Sequence, residues 1–430
     1  MNGFVLLVVA MALPMVGSAQ QTPDPAAVLK HTGERLLNDL DRMPRYTCIQ
    51  TVTRTYYEAN PESQRSACSA LIAAHDKRKH TPRVLGWDRL RLDVALVKGT
   101  SIYSWVGAPR FTDDTLDKLA GGGPLGSGDF GVFLGEILRR LPLEFQGEQV
   151  VEGRQLLQYS YEMPLDKSAY RVKTAKGWAP TAYSGTLLLD PNASDIVKLT
   201  VRTAELPEES SACQAISEVT YGRTPIREHM VLVPRETHLY AISNNGQESL
   251  SQTTFANCRE YASTSRLLLN DANSADAPAT TKPAPPEPPA PLPAGLHFEA
   301  RITTPIDSTT AAAGDPIDAI LRSPIRGKNK TVIAPAGARL QGRLRNVKWW
   351  SEPSDHYQIM VQFESIEIGG RSVPLNAVLY APHPTIWMSN TSRMMQLRYG
   401  DPSGVGAISR ARMRPANDIC DHGPSERARS

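Results

Sequence analysis

From Arg89 to Leu96 the chain alternates. Leu90, Leu92, Val94 and Leu96 fall on one side, and Arg89, Arg91, Asp93 and Ala95 on the other, which is the period of a half-buried strand. Lys98-Gly99 turns this strand back into SIYSWV, so a hairpin is predicted. Before it, RYTCIQTVTRTYY up to Tyr57 is dense in Thr, Tyr and Val and reads as a strand from Tyr46. Earlier still the spacing changes. Leu29, Leu36, Leu37 and Leu40 recur at helical intervals behind Asp24-Pro25, an N-cap followed by proline at the first helical position, and Pro44 stops the run. A second helical region is expected between Asp113 and Leu141. It is broken by Gly121-Gly122-Gly123-Pro124 and restarts at Asp129 through Val132, Phe133, Ile137 and Leu138 until Pro142.

From Leu143 the alternation resumes in GRQLLQYSYEM, GTLLLD, DIVKLTVRT, AISEVTYG, MVLVPRETHLYAI and SLSQTTFANCREY, mostly with turn-like gaps between them. The expectation is an α+β unit: a long, curled antiparallel sheet, half-barrel-like, with a few helices covering one face. Eight prolines between Pro278 and Pro293 then forbid both helix interior and central strand. This run reads as a semi-rigid spacer of roughly 50 Å. After it, Leu296, Phe298, Ala300 and Ile302 alternate, as do Ile317, Ala319 and Leu321, followed by TVIAP, ARLQGRLRNV, YQIMVQFESIEIG and SVPLNAVLY. Such short, closely spaced strands imply a small all-β barrel or sandwich. The predicted division is therefore residues 1–19 as a signal peptide, 24–269 as the α+β domain, 270–294 as a disordered Pro-rich linker, 295–382 as the small all-β domain, and 383–430 as a disordered Arg-rich tail.

Charge and cysteine narrow the setting. The formal net charge is +3. Seven arginines from Arg393 onward outweigh four acids, so the tail carries that excess and the rest is neutral overall. A nucleic-acid binder should carry a basic stripe on its folded body, and none appears. Phe4 to Val16 is an apolar run of signal-peptide length, and Gly17-Ser18-Ala19 offers small residues for cleavage after Ala19, giving a mature start at Gln20. No later stretch is apolar for long enough to cross a bilayer. The expected location is the periplasm, the outer-membrane surface or the medium.

In that setting Cys48, Cys68, Cys213 and Cys258 read as disulfides rather than metal ligands, since no two have zinc-site spacing. Four cysteines allow three pairings. Neighbour pairing, Cys48 with Cys68 and Cys213 with Cys258, closes the shorter loops. Yet in a simple meander the strands of Cys213 and Cys258 run parallel with one strand between them, which puts these two at opposite ends. Cross-pairing, such as Cys48 with Cys258, is the alternative. Cys420 is the odd cysteine, free or engaged between molecules.

No motif carries catalysis, a cofactor or a metal. Gly126-Ser127-Gly128-Asp129-Phe130-Gly131 matches G-x-G-x-x-G but lacks the preceding strand of a βαβ unit. The carboxylate pairs Asp113-Asp114 and Glu208-Glu209 sit where caps or polar loops want charge, and His75 and His80 lie on a Lys/Arg-rich stretch read as solvated. Trp349-Trp350 ends a strand, where adjacent residues face opposite ways. One is expected in the core and the other outside, as a contact for a partner or a glycan.

Two resemblances add to this. PRYTCIQTVTR (44–54), LRLDVALVKGTSIYSW (90–105), GTLLLDP (185–191), VTYG (219–222) and FANCREYASTS (255–265) resemble a set of exported bacterial two-domain proteins that bring no known activity. The leading helix and long meander are also similar to the outer-membrane lipoprotein carriers, whose curled half-barrel implies an acyl ligand held against helices. ITTPIDSTTAAAGDPIDAIL (302–321) and VIAPAGARLQGRL (332–344) resemble the β-barrel domain of the channel-forming subunit of type IV secretion machines. That barrel implies a closing apolar strand, which Thr391 to Ser430 does not offer. The sequence thus points first to an exported, non-catalytic envelope protein acting as a binding or assembly module with an envelope protein as partner. Second comes a carrier of an apolar (lipid or acyl) ligand, and third a hydrolase.

Overall fold

The computed structural model describes residues 24–59, 66–97, 100–108, 111, 119, 130–261, 292, 295–327, 329–353, 355–380 and 409–413. The proposed signal peptide, nearly all of the Pro-rich spacer, Asp113-Asp114, the Gly126–Asp129 part of the glycine motif and Cys420 lie outside them.

The chain is α+β. Among the described residues the helices α1 (Pro25–Asp41), α2 (Cys68–Lys77) and α3 (Phe130–Arg140) accompany strands β1 (Tyr46–Tyr57), β2 (Val84–Val97), β3 (Thr100–Trp105), β4 (Glu144–Val151), β5 (Arg154–Met163), β6 (Arg171–Thr174), β7 (Gly177–Pro180), β8 (Tyr183–Asp190), β9 (Asp195–Thr203), β10 (Ala212–Ile226), β11 (His229–Ser243) and β12 (Glu248–Glu260). After the spacer come β13 (His297–Ile302), β14 (Pro316–Leu321), β15 (Ile325–Arg326), β16 (Val332–Ala334), β17 (Arg339–Trp350), β18 (His356–Ile368), β19 (Arg371–Tyr380) and β20 (Ser409–Met413). The first half forms an antiparallel order β4-β5-β8-β9-β10-β11-β12-β1-β2, with β3 hairpinned onto β2 and β6–β7 apart as a ribbon.

α1 starts where the sequence places it. The Asp24 carboxylate accepts from the Ala26 N–H at 3.2 Å, and Pro25 occupies the first position. Its buried side, Val28 and Leu36, joins Leu134 and Ile137 of α3 on Tyr159, Leu187, Leu199 and Val219 of the sheet. α2 is a helix in a stretch to which the sequence pattern assigns no element. Its Ala-rich SALIAA has good propensity but buries only Leu71, too little for a visible stripe.

The small all-β part has its own core around Phe298, Ile317, Leu340, Val361 and Phe363. Its strands pair in the order β14-β13-β20-β19-β18-β17, and β14 also pairs with β17. β20 differs from the expected unstructured tail. Ser409–Met413 lies between β13 and β19, in the gap that the missing closing strand leaves. The two halves share one sheet, because Lys348, Trp349 and Trp350 of β17 pair with Asp88, Trp87 and Gly86 of β2.

The four candidate cysteines are all oxidised, but across the sheet: Cys48 with Cys258 and Cys68 with Cys213. Neighbour pairing is corrected by strand length. Cys48 stands near one end of β1 and Cys68 follows its other end. Nine residues of strand already separate Cys48 from Tyr57, about 30 Å at ~3.3 Å per residue, far beyond disulfide reach. Cys213 and Cys258 are likewise at opposite ends of β10 and β12. Cys48 instead faces Cys258 directly, where a bulge sets Asn257 (φ 52°) and Cys258 against one residue of β1. α2 delivers Cys68 to Cys213. Non-reducing peptide mapping of the purified protein should recover these two cross-linked peptides; a Cys48–Cys68 peptide would contradict the strand order itself.

Candidate functional site

The first half holds an apolar cavity of about 280 Å³ where its sheet parts. β11 and β12 pair from Ile242–Glu248 only as far as Glu236–Thr254. Beyond that point β11 carries Pro234, which has no N–H to give to a neighbour. Right beside it β11 bulges, with Arg235 left over where Glu236 and Pro234 face the consecutive Thr220 and Tyr221 of β10. The stretch His229–Pro234 therefore stays on β10, while Phe255–Glu260 stays on β1. α1 and α3 cover the opening between them. Leu36 and Leu40 come down from α1, Leu134 from α3, Met43 and Pro44 from the loop after α1, Tyr46 and Leu96 from β1 and β2, and Tyr221, Met230, Val231, Leu232 and Pro234 from β10 and β11. A smaller void behind Tyr46, Leu96 and Pro234 continues toward Val94, Phe255 and Cys48.

Its polarity is confined to a few groups. Burial pushes the Tyr46 hydroxyl up to about 12, and burial likewise raises Tyr221. Both are thus neutral phenols at physiological pH. Asn38, Asp39, Arg42 and His229 form the rim. Asp39 accepts from Arg223 at 2.8 Å, and Arg223 also binds Asp195 at 2.7 Å. Hydrogen bonds to Asp195 hold the Arg223 guanidinium more firmly protonated against its partial burial, and Asp39 adds to them. Nothing in this cavity makes a nucleophile–base pair; it can enclose hydrocarbon and offer it a few hydrogen bonds.

A second depression of about 260 Å³ is polar and open, lined by Tyr57, His75, Arg78, Lys79, His80, Tyr240 and Glu248. His75 and Arg78 both reach the Glu248 carboxylate. Burial works against that charge, yet these bonds keep the Glu248 carboxyl below its ordinary value. His75 is thus part of an ion-pair cluster rather than fully solvated, whereas His80 is exposed. Of the other carboxylates, Glu209 pairs with Lys176 at 2.7 Å. Among the described residues, no three His, Cys, Asp or Glu side chains gather as a metal site would require.

Trp349 and Trp350 are both half-buried, rather than one in and one out. They sit in the seam between β17 and β2, where the Trp350 ring stacks on Tyr56 at 5.9 Å and Trp87 meets Tyr357 edge-on at 6.0 Å. The sequence reading offered an apolar-ligand carrier but named none of the cavity's lining residues, which come from six elements. Its one local signal is Pro234 inside MVLVPRETHLYAI, a proline in the middle of an otherwise clean strand.

No family model and no curated protein matches the chain. Several solved structures are similar at low levels, three of them as follows. A DUF1329 family protein from Desulfovibrio piger is 8% identical, with 55% of this chain and 92% of that one covered and a TM-score of 0.26. A LolA superfamily protein from Nitrosomonas europaea is 9% identical, with coverages of 54% and 94% and a TM-score of 0.25. A putative outer membrane lipoprotein-sorting protein domain from Vibrio parahaemolyticus is 11% identical, with coverages of 54% and 94% and a TM-score of 0.23. The likeness of residues 302–344 to the secretion-channel subunit stays a resemblance of sequence alone.

Proposed function

We propose that this chain is an exported, non-catalytic envelope protein that holds an apolar ligand between α1 and the parted strands of its first half. The observation that carries the reading is the cavity of about 280 Å³, lined chiefly by Leu, Met, Val and Tyr and close to the lower end of small-molecule sites, ~300–1,000 Å³. Export is supported by the apolar amino-terminal run and by two disulfides, which persist in oxidising compartments. The periplasm is the setting that fits both. The three similar proteins include one named for lipoprotein sorting, a role that agrees with this reading without adding weight to it. The alternative, an assembly module, would use Trp349 or Trp350 as an outward contact; both are half-buried, and the Trp350 ring stacks on Tyr56.

A fluorescent apolar probe, N-phenyl-1-naphthylamine, tests it. The disulfide-intact protein should raise the probe's fluorescence saturably. Leu40→Trp and Met43→Trp, which put an indole into the cavity from partly exposed positions, should weaken probe binding at least about tenfold. Unchanged binding in both variants, with the cooperative unfolding of the parent retained, would move the probe elsewhere and remove the basis of the carrier reading.

A further inference from the structure

We infer that the ligand is a single-chain amphiphile with an anionic head, its hydrocarbon in the cavity and its head at Arg42 and His229. The inference rests on the cavity reading above and specifies what enters. The interior asks for hydrocarbon, since Leu36, Leu40, Met43, Leu96, Leu134 and Val231 supply most of the wall. A volume of about 280 Å³, continued by a narrow void of about 20 Å³ toward Phe255, has room for one chain and not for several.

The rim then decides the head. Asn38, Arg42, His229 and Met230 are exposed and border the cavity, so the opening lies between the end of α1 and the start of β11. Asp39 is the rim's carboxylate, and its charge is engaged: Arg223 binds it and Asp195 together. Arg235 adds a further positive charge beside that group, donating to the Arg223 carbonyl at 2.8 Å. The Asp39, Asp195, Arg223 and Arg235 cluster is therefore close to neutral as a whole. Arg42 is different. It is the residue after the last turn of α1, borders the cavity, and has no ion pair among the described residues. His229, on the same rim, has no side-chain partner among the described residues either. A carboxylate or phosphate at the mouth would meet a guanidinium with a rigid fork of donors and an imidazole. A cationic head would face Arg42, while Asp39, the carboxylate among the lining residues, is already held by Arg223. A neutral head would leave the guanidinium unused.

The magnitude is modest, because the rim is open to solvent. An exposed ion pair contributes little, so the charged head should improve binding by about three- to tenfold, not by orders of magnitude. Hydrocarbon burial supplies the affinity and the rim supplies the choice.

The experiment displaces N-phenyl-1-naphthylamine from the full mature protein with four ligands of equal chain length: lauric acid, dodecyl phosphate, dodecanol and dodecylamine. The expected order is acid and phosphate ahead of alcohol, with amine last. The preference of acid over alcohol should shrink in high salt and collapse in Arg42→Gln. Comparison of lauric acid with dodecyl phosphate separates a fatty-acid ligand from a lysophospholipid-like one. Equal displacement by acid and alcohol, or an unchanged acid-to-alcohol ratio in Arg42→Gln, overturns the head-group assignment and leaves the carrier reading standing. If none of the four displaces the probe, the carrier reading falls, and the present inference with it.

Discussion

Replacing Arg54 by Met should lower the unfolding free energy by about 3–5 kcal/mol, the range for stranding one member of a buried ion pair. Arg54 is 2% exposed and Asp88 1%. The guanidinium binds the carboxylate through two bonds, Nε to Oδ1 and a terminal nitrogen to Oδ2, each 2.7 Å. The Tyr56 hydroxyl donates to the same Oδ2 at 3.0 Å. Burial alone would weaken the Arg54 charge, but the hydrogen bond and the negative charge of Asp88 together outweigh it, and the group is held protonated more firmly than usual. Burial pushes Tyr56 up to about 12, so it stays a donor. Met fills much the same volume as the arginine stem and takes away both charge-assisted bonds. Asp88 must then stay charged with one hydroxyl for support, or take up a proton. The double replacement Arg54→Met with Asp88→Leu should recover most of the loss, because an apolar pair of similar volume is often neutral in such a place. Urea unfolding of the disulfide-intact proteins measures this. A loss below about 1 kcal/mol in the single variant would mean that the pair is hydrated and not the anchor described here.

Much of the architecture was legible because it is local. α1 announced itself through Asp24-Pro25 and its leucine spacing. β8 to β12 did so through alternation bounded by turns such as Asn244-Asn245-Gly246, and Gly246 indeed takes φ 79°. The hairpin of β2 and β3 was written in Lys98-Gly99. What escaped was set by distant partners. Disulfide pairing follows from which strands are neighbours, and the order β11-β12-β1-β2 brings together segments some 200 residues apart in sequence, as Cys48 and Cys258 are. The cavity follows from where β11 and β12 stop pairing, and of that only Pro234 is visible locally. The seam is the clearest case. Trp349-Trp350 looked odd because a strand end rarely needs two large rings. The explanation lies in Gly86, whose missing side chain is the space the Trp350 ring occupies.

That glycine makes the second large effect predictable. A Cβ at Gly86 would lie 2.4 Å from Trp350 Cε3 and 2.5 Å from the Trp349 carbonyl oxygen, so a valine there cannot coexist with the β2–β17 pairing. The seam around it is extensive. Ser351 donates its N–H to the Leu85 carbonyl at 2.8 Å, and Arg91 and Ala313 exchange backbone bonds with the facing segment, Arg91 N–H to Ala313 O at 2.7 Å and Ala313 N–H to Arg89 O at 2.8 Å. Arg91 pairs with Asp315, and Arg343 reaches the Val106 carbonyl at 3.2 Å. We propose residues 24–269 and 295–382 as two units, each with its own core, that act as one body while this seam is closed. Cutting the wild-type chain within the spacer, between Asp271 and Gly295, should then leave two pieces that co-elute on size exclusion and melt together. In Gly86→Val the same cut should release pieces that elute apart and melt separately, since overpacking of about 1–3 kcal/mol falls on contacts that no longer have the chain to hold them together. Gly33→Ala, on α1 with nothing within 4 Å of its Cβ, is the matched control and should behave as wild type. Separation of the nicked wild-type protein would show that the seam is too weak to join the halves. Co-elution of the nicked Gly86→Val pieces would show that the Arg91, Ala313 and Arg343 contacts suffice without the strand pairing.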